Sequence, residues 1–532
     1  MATKEQLESS PHARARPPLV RQLTTGVAPA AFGVLALAVV LRMYLLVAYP
    51  FDGLYGQDAY AYYGYARELL SALPFPPPFW WPLGYPVLLD AAFLIGGESV
   101  RSAQWVTLLS GALVAPAALL LAREAAPRGL ENAAGWVAGL LCATCGQLTQ
   151  SSLVIMADAP ALLWASLAGW LLLRYGRGRA LWTLGIGAFA LGLAIWTRWQ
   201  NLLFAGAWLA ALISIEWLNP EFGRTHRFAP TDDGTQSGRT HRFAPTVSGA
   251  WRLMVALGMV ALVLSPQLMI RFTTGAPLAG QSWLEGWSPA NFFARSFDTP
   301  DGHFDYTLPV AVFYAQVLAH PGYVLGVFVP FFLLGAWQLL GTRAQNPSAA
   351  ILMLGWIGAM YLFLAGIPYE NFRFGLAFLT PVAVTCGIGV GYGWARYHAR
   401  GQRSALVAWI LLGLGIMLYK QPRVLAPILE IKARELEQTR WLSEQLSPNA
   451  TVWTLGMSGA IDTYTALSPR ELWQVSLQEV RATAPAYLFL DTNAIETQWQ
   501  GREPQVLLRA LWQDSALSEM GEFHGWTLFR IR

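Results

Sequence analysis

Apolar runs of about 20 residues recur along this 532-residue chain, and they constrain its fold more than any other feature. A run of that length suits a helix crossing a hydrocarbon layer, because a helix satisfies its own backbone hydrogen bonds where no water can. About eleven such stretches are readable: 28–48, 99–122, 132–150, 157–173, 180–196, 199–217, 250–270, 321–341, 348–367, 375–395 and 404–420. The composition agrees. Hydrophobic residues make up 55% and charged residues only 13%, where soluble proteins carry about a quarter. The expected fold is an α-helical integral membrane bundle; the net charge of +4 gives no support for a nucleic-acid partner.

Charge bias sets an expected orientation. The tail 1–27, the connections holding Arg123, Arg128 and Arg174 to Arg179, the 218–249 loop and the stretch Arg396 to Arg403 are basic, and so cytoplasmic. The alternate connections hold Asp52, Asp58, Glu98, Asp158, Glu285, Asp298, Asp301, Asp305 and Glu370, and face outward from a plasma membrane. The outer loops are 49–98 and 271–320. With 28–420 as the membrane domain and an odd span count, residues 421–532 fall outside the cytoplasm. There a charged helical stretch (430–446) precedes β-like runs at 450–455, 486–491 and 526–531, which predicts a small α/β domain. The 218–249 loop carries a tandem repeat, residues 223–231 recurring as 238–246, and reads as a local duplication. Cys142 and Cys145, spaced C-x-x-C inside an apolar stretch, read as packing residues.

Two acids stand out. Asp58 opens a segment in which Tyr62, Tyr65, Ala66, Leu69 and Leu70 recur at helical spacing, predicting an amphipathic helix on the outer surface. Asp158, in Met156-Ala-Asp-Ala-Pro160, heads the fourth span. Both suit helix N-termini, where an acid is favoured, and both suit a shared outer site. In the outer loop, His303 lies between Asp301 and Asp305 and reads as solvated, with metal binding as the alternative; Trp283 and Trp287 suit an interfacial belt.

The order of these motifs carries a resemblance. An Asp-x-x-Tyr-like segment follows the first span, then Trp81-Pro-Leu-Gly-Tyr-Pro86, then Asp158, then Thr197-Arg198, with Glu370-Asn-Phe-Arg373 further on. The set resembles polytopic glycosyltransferases of the GT-C superfamily, in the branch of dolichyl-phosphate-mannose protein mannosyltransferases and Rgt-type lipopolysaccharide glycosyltransferases. It covers residues 28–215 and, more loosely, 350–395. Two departures are visible: Trp199 follows Thr-Arg where Pro is usual, and Gln57 stands where many relatives have a second acid. The resemblance implies inverting transfer of a sugar from a polyprenyl-phosphate carrier to a hydroxyl of a lipid, glycan or protein acceptor. It implies Asp58 as general base and Asp158 as the second acid, which orients the acceptor or helps hold a divalent cation. Arg373, Arg198, Arg271 and Arg295 are the candidate phosphate donors, and Tyr60, Tyr63, Tyr85 and Glu370 the candidate substrate contacts. No cofactor is otherwise expected. The competing reading is a transporter or flippase for lipid-linked or small polar substrates; against it, the acids gather on one side and the spans show no matching halves.

Overall fold

A computed structural model describes residues 27–72, 79–218, 247–274, 286–299, 301–342, 346–397, 400–513 and 516–532. The N-terminal tail, both copies of the tandem repeat, Trp283 and Glu285 lie outside the described residues.

The first helices are α1 (Val27–Ala48), α2 (Gly56–Ala72), α3 (Gly84–Gly96) and α4 (Val100–Ala125). Next come α5 (Glu131–Thr144), α6 (Gly146–Leu153), α7 (Asp158–Gly178), α8 (Leu181–Thr197), α9 (Asn201–Ile213) and α10 (Val247–Thr274). A hairpin of β1 (Ser296–Thr299) and β2 (Gly302–Asp305) leads to α11 (Val310–Ala315), α12 (Val329–Gly341), α13 (Pro347–Gly366), α14 (Leu379–Arg396) and α15 (Arg400–Gln445). Among the described residues six helices are long and apolar enough to cross a membrane, or seven if α6 and α7, bent by 119°, form one broken span. Four shorter apolar helices, 84–96, 181–197, 201–217 and 326–341, complete the set. The chain is a multi-pass membrane protein.

The expected span 132–150 is not one helix. It breaks at Cys145, whose backbone is extended, and α6 resumes with Gln147 N bonded to the carbonyl of Gly322 (2.7 Å). Helix α3 has no counterpart among the expected spans. The last expected span, 404–420, is the first part of a 46-residue helix, so the boundary expected at 421 falls inside α15. At 1.5 Å per residue, the first 20 residues of α15 cover about 30 Å, the thickness of the hydrocarbon layer, and the rest projects beyond it.

Small residues let the spans close up, as membrane packing requires. Gly335 on α12 and Gly389 on α14 face each other's helix so closely that a Cβ on either would fall on a backbone carbonyl, of Thr385 and Phe331 respectively. At one end of the bundle Glu124 binds Arg174 (3.2 Å) and Arg177 (2.9 Å), and Glu216 binds Arg179 (2.6 Å) and Arg252 (3.1 Å). Arg42 of α1 is fully buried. It donates to Ser152 Oγ (3.0 Å) and to the carbonyls of Ala38 (3.0 Å) and Gly111 (3.1 Å), stapling α1 to α4 and α6.

Beyond the bundle, β3 (Thr451–Thr454), α16 (Ser458–Tyr464), β4 (Ser468–Glu471), α17 (Leu477–Ala482), β5 (Ala486–Asp491), α18 (Thr492–Thr497), α19 (Glu503–Gln513), β6 (Leu517–Phe523) and β7 (Trp526–Ile531) form an α/β unit. Its sheet runs β4-β3-β5-β7-β6, with β3 parallel to β4 and β5 and the β5-β7-β6 part antiparallel. Strands β3, β5 and β7 are the three apolar runs of the sequence. β4 and β6, both at sheet edges, carry mixed polar residues that hide their period.

Candidate active site at one end of the bundle

The segments carrying Asp58 and Asp158 are tied together before either side chain is considered. Ile155 N bonds the carbonyl of Gly53 (2.8 Å), and Gly53 sits at φ +90° with Ile155 and Leu153 packed against the place a Cβ would take. Buried Gln104 bridges the carbonyls of Phe51 (3.0 Å) and Leu153 (2.8 Å). The Gly of the Pro-Leu-Gly-Tyr-Pro motif has a comparable reason. A Cβ on Gly84 would stand 2.6 Å from the Trp196 carbonyl oxygen, so this turn presses on the end of α8 just before Thr197 and Arg198.

Helix α2 forms as its spacing predicts, with Tyr62, Tyr65, Ala66 and Leu69 buried. Asp58 lies in its first turn, and its Oδ2 accepts a hydrogen bond from Arg373 Nη2. Arg373 Nη1 reaches Met156 Sδ, two residues before Asp158. Asp158 opens α7; its Oδ1 pairs with Arg198 Nη1 at the end of α8, and its side chain is only 2% exposed. Both guanidiniums lie over one ring, Phe374, at 5.0 Å for Arg198 and 5.4 Å for Arg373. Two acid–arginine pairs therefore meet around a single aromatic. Among the described residues, each leaves a buried atom without a hydrogen-bond partner: Oδ2 of Asp158 and Nε of Arg373.

Arg373 is held by its loop. Tyr314 Oη donates to the Tyr369 carbonyl (3.0 Å) and accepts from Asn371 N (3.2 Å), and Tyr323 Oη bonds the Phe372 carbonyl. Asn371 Oδ1 then accepts from Arg373 N (3.2 Å). Arg373 pairs with Asp58 and not with its near neighbour Glu370. Among the described residues Glu370 has a buried Oε1 without a hydrogen-bond partner, and burial pushes its carboxyl up to about 7.

A cavity of about 560 Å³ opens beside Arg373. Tyr55, Met156 and Asn371 line it, with Gln147, Gln150 and Ser151 of α6, His320, and Lys420 and Arg423 of α15. None of its lining residues is acidic, so Arg373, Lys420 and Arg423 give it a positive wall. Lys420 comes about 30 Å along α15, at the end opposite Arg403. His320 Nδ1 accepts from Gly322 N (3.0 Å), which leaves Nε2–H as the donor of the neutral ring, and burial lowers its pKa. Burial likewise raises the phenols of Tyr55 and Tyr62, keeping both as hydroxyl donors.

The remaining expected residues are placed elsewhere. Arg271 is buried and donates to the carbonyls of Phe79 (2.7 Å) and Trp80 (3.4 Å), behind an aromatic cluster. Arg295 is exposed before β1. Tyr60 turns away from Asp58 toward Glu435 and Lys432. Tyr63 packs on Phe93 (5.9 Å) and Arg67 (5.7 Å). Tyr85 is fully buried beneath Tyr62, with rings 4.9 Å apart. His303 faces Asp298 (3.0 Å) and Asp305 (3.3 Å) rather than Asp301, and Arg502 neutralises Asp298 (3.0 Å). Tyr55, Tyr62, His320, Lys420 and Arg423 were not singled out as site residues. Two signals pointed to some of them: Tyr62 is one turn from Asp58, and a Lys and an Arg close the last apolar run on the side the charge bias makes acidic.

A divalent cation between Asp58 and Asp158 does not fit this donor set. Each carboxylate already faces a guanidinium, and among the described residues no group of three or more His, Cys, Asp or Glu converges.

No protein-family model and no curated protein matches the sequence. Solved structures are. ArnT from Cupriavidus metallidurans, bound to undecaprenyl phosphate, aligns over 95% of this chain and 98% of that one, with 12% identity and a TM-score of 0.59. The oligosaccharyltransferase of Archaeoglobus fulgidus in its apo form aligns over 89% and 72%, with 15% identity and a TM-score of 0.56. The same archaeal enzyme, AglB, in complex with an inhibitory peptide and a dolichol-phosphate, aligns over 88% and 70%, with 15% identity and a TM-score of 0.55. The chain shares the fold of these solved structures, here a bundle of apolar helices followed by a C-terminal sheet domain.

Proposed function

We propose that this protein is an inverting glycosyltransferase that takes a sugar from a polyprenyl-phosphate carrier and passes it to an acceptor hydroxyl on the outer face of the plasma membrane. One observation carries the reading. Two acid–arginine pairs meet around Phe374 at the edge of a cavity whose charged lining residues are all cations. The GT-C fold supports it, as do the solved relatives named for their complexes with undecaprenyl phosphate and dolichol-phosphate. The transporter reading has less support. The one fully buried charge of α1, Arg42, is spent on Ser152 and two backbone carbonyls, not on a path across the membrane.

In this reading the Asp58 carboxylate takes the acceptor proton as the acceptor oxygen bonds the anomeric carbon. The bond from that carbon to the phosphate oxygen breaks, and the lipid phosphate leaves with the electron pair. Its charge falls to Arg373, Lys420 and Arg423, with the Nε2–H of His320 as a neutral donor. Asp158, fixed by Arg198, is the second acid of the site and helps orient the acceptor. Tyr62 closes the site on the α2 side, above Tyr85.

The test uses full-length protein in vesicles of its native lipids, with a panel of polyprenyl-phosphate hexoses and pentoses, and measures release of polyprenyl phosphate and label moved to acceptor. Asp58→Asn is expected to lower turnover by about 10²–10⁴ while the protein inserts and melts as a folded species. Wild-type protein that turns over no member of the panel, or an Asp58→Asn variant at full rate, would overturn the proposal.

A further inference from the structure

The C-terminal domain rests on the helix that carries Asp58, and the contact is polar and buried. Lys432 of α15 is 5% exposed. Its Nζ donates to the hydroxyls of Tyr60 (2.7 Å) and Tyr464 (2.7 Å), and stands 3.7 Å from Asp52 Oδ2 and 3.8 Å from Glu435 Oε2. Tyr60 Oη donates to Glu435 Oε1 (2.5 Å), and Tyr464 Oη to Asp52. One ammonium thus joins the loop before α2, helix α2, helix α15 and helix α16 of the C-terminal domain. The backbone fits as closely. A Cβ on Gly456, at φ +86°, would stand 2.7 Å from Gln57 Nε2, and a Cβ on Gly459 would stand 2.5 Å from Tyr60 Cβ. Gln57 and Tyr60 flank Asp58, and Asp52 Oδ1 accepts from Leu54 N (3.0 Å) on the way into the helix.

Adhesion alone does not call for this chemistry. A buried charged cluster is seldom more stabilising than apolar residues of the same volume, because desolvation offsets the attraction. What directed hydrogen bonds add is geometry, and catalytic groups must be held to within about 0.5 Å. We propose that Lys432 and Tyr464 are positioning residues. Through Tyr60 and Asp52 they fix the first turn of α2, and so hold the Asp58 carboxylate against Arg373. The proposal rests on the glycosyltransferase reading for its catalytic half. It gives the C-terminal domain a share in the reaction without any contact to substrate, since a displacement of about 1 Å in a reacting group costs on the order of 10² in rate.

The experiment compares full-length wild type, Lys432→Met and Tyr464→Phe in the same vesicles, with the polyprenyl-phosphate sugar that the wild type turns over. Lys432→Met is expected to lower kcat about 10- to 100-fold with KM for the donor within about twofold; Tyr464→Phe, which removes one hydroxyl, should lower kcat less, again without moving KM. Hydrogen exchange supplies the readout that does not depend on activity. Amides of 52–62 should exchange faster in both variants, while those of β5 and β7 stay protected. Wild-type kcat in Lys432→Met, a change confined to KM, or unchanged exchange over 52–62 would each overturn the proposal. If Lys432→Met does not fold, Tyr464→Phe decides by the same criteria. If wild type transfers no sugar, the glycosyltransferase reading fails and takes the catalytic half with it, and exchange alone decides whether the network fixes α2.

Discussion

Replacing Arg198 with Met tests whether the second acid is a charged, buried group that depends on its arginine. In the wild type the Asp158 side chain is 2% exposed, pairs through Oδ1 with Arg198, and among the described residues has no hydrogen-bond partner at Oδ2. Arg198→Met leaves that carboxylate nearly out of water and without its ion-pair partner, with the Arg373 guanidinium as the remaining neighbouring cation. Breaking such a pair from one side costs about 3–5 kcal/mol. The double variant Asp158→Asn/Arg198→Met removes the stranded charge. It still lacks the contact of Arg198 with Phe374, at about 1–2 kcal/mol, so comparing single with double isolates the charge term. The assay is thermal unfolding in detergent at pH 8, followed by tryptophan fluorescence at one scan rate. The expected order of stability is wild type, then double, then single. A single variant as stable as the wild type, or a double variant no more stable than the single, would refute the reasoning.

Three further outcomes follow from the same geometry. The His303 pKa is raised, first by its hydrogen bond to Asp298, so the imidazolium contact belongs to pH below the ordinary histidine range and is lost as pH rises through the raised value. Proteolysis between 296 and 305 should accelerate from pH 6 to pH 9, and Asp298→Asn should weaken that dependence, leaving the part owed to Asp305. Glu370, at about 7 in the folded protein, favours its protonated form; its contribution is present below the ordinary carboxyl range and is lost as pH rises through 7. Glu370→Gln should thus stabilise the protein at pH 8 by about 1 kcal/mol, discounted for the solvent that reaches the side chain, and by nothing at pH 4, read from melting curves at both values. Chelation with EDTA should leave sugar transfer unchanged, because Asp58 and Asp158 are each engaged by a guanidinium; loss of activity restored by Mg²⁺ or Mn²⁺ would contradict that assignment.

The sequence carries some of this site and withholds the rest for geometric reasons. Asp58 and Asp158 were legible because each is a local event: an acid at the head of a helix with apolar residues behind it. Arg373 and Arg198 were legible as same-side cations, but so were Arg271 and Arg295. Sidedness is all that span counting provides, and which cations meet the acids depends on how each helix is rotated about its axis. The tyrosines show the same limit more sharply. Tyr60, Tyr62 and Tyr63 differ by one to three positions, and each step turns a helix by about 100°. Tyr60 therefore meets α15, Tyr62 meets Tyr85, and Tyr63 meets Phe93. Choosing among them needs the face that packs inward, and α2 is packed on all three. Gln57 was legible as a departure, and its meaning came with the fold. It stands where the resemblance would lead one to expect a second acid, and it packs under Gly456 of the C-terminal domain. With it, the centre counts two carboxylates against two guanidiniums and is balanced without a cation. The surplus positive charge lies next door, on Lys420 and Arg423, where a departing lipid phosphate would need it.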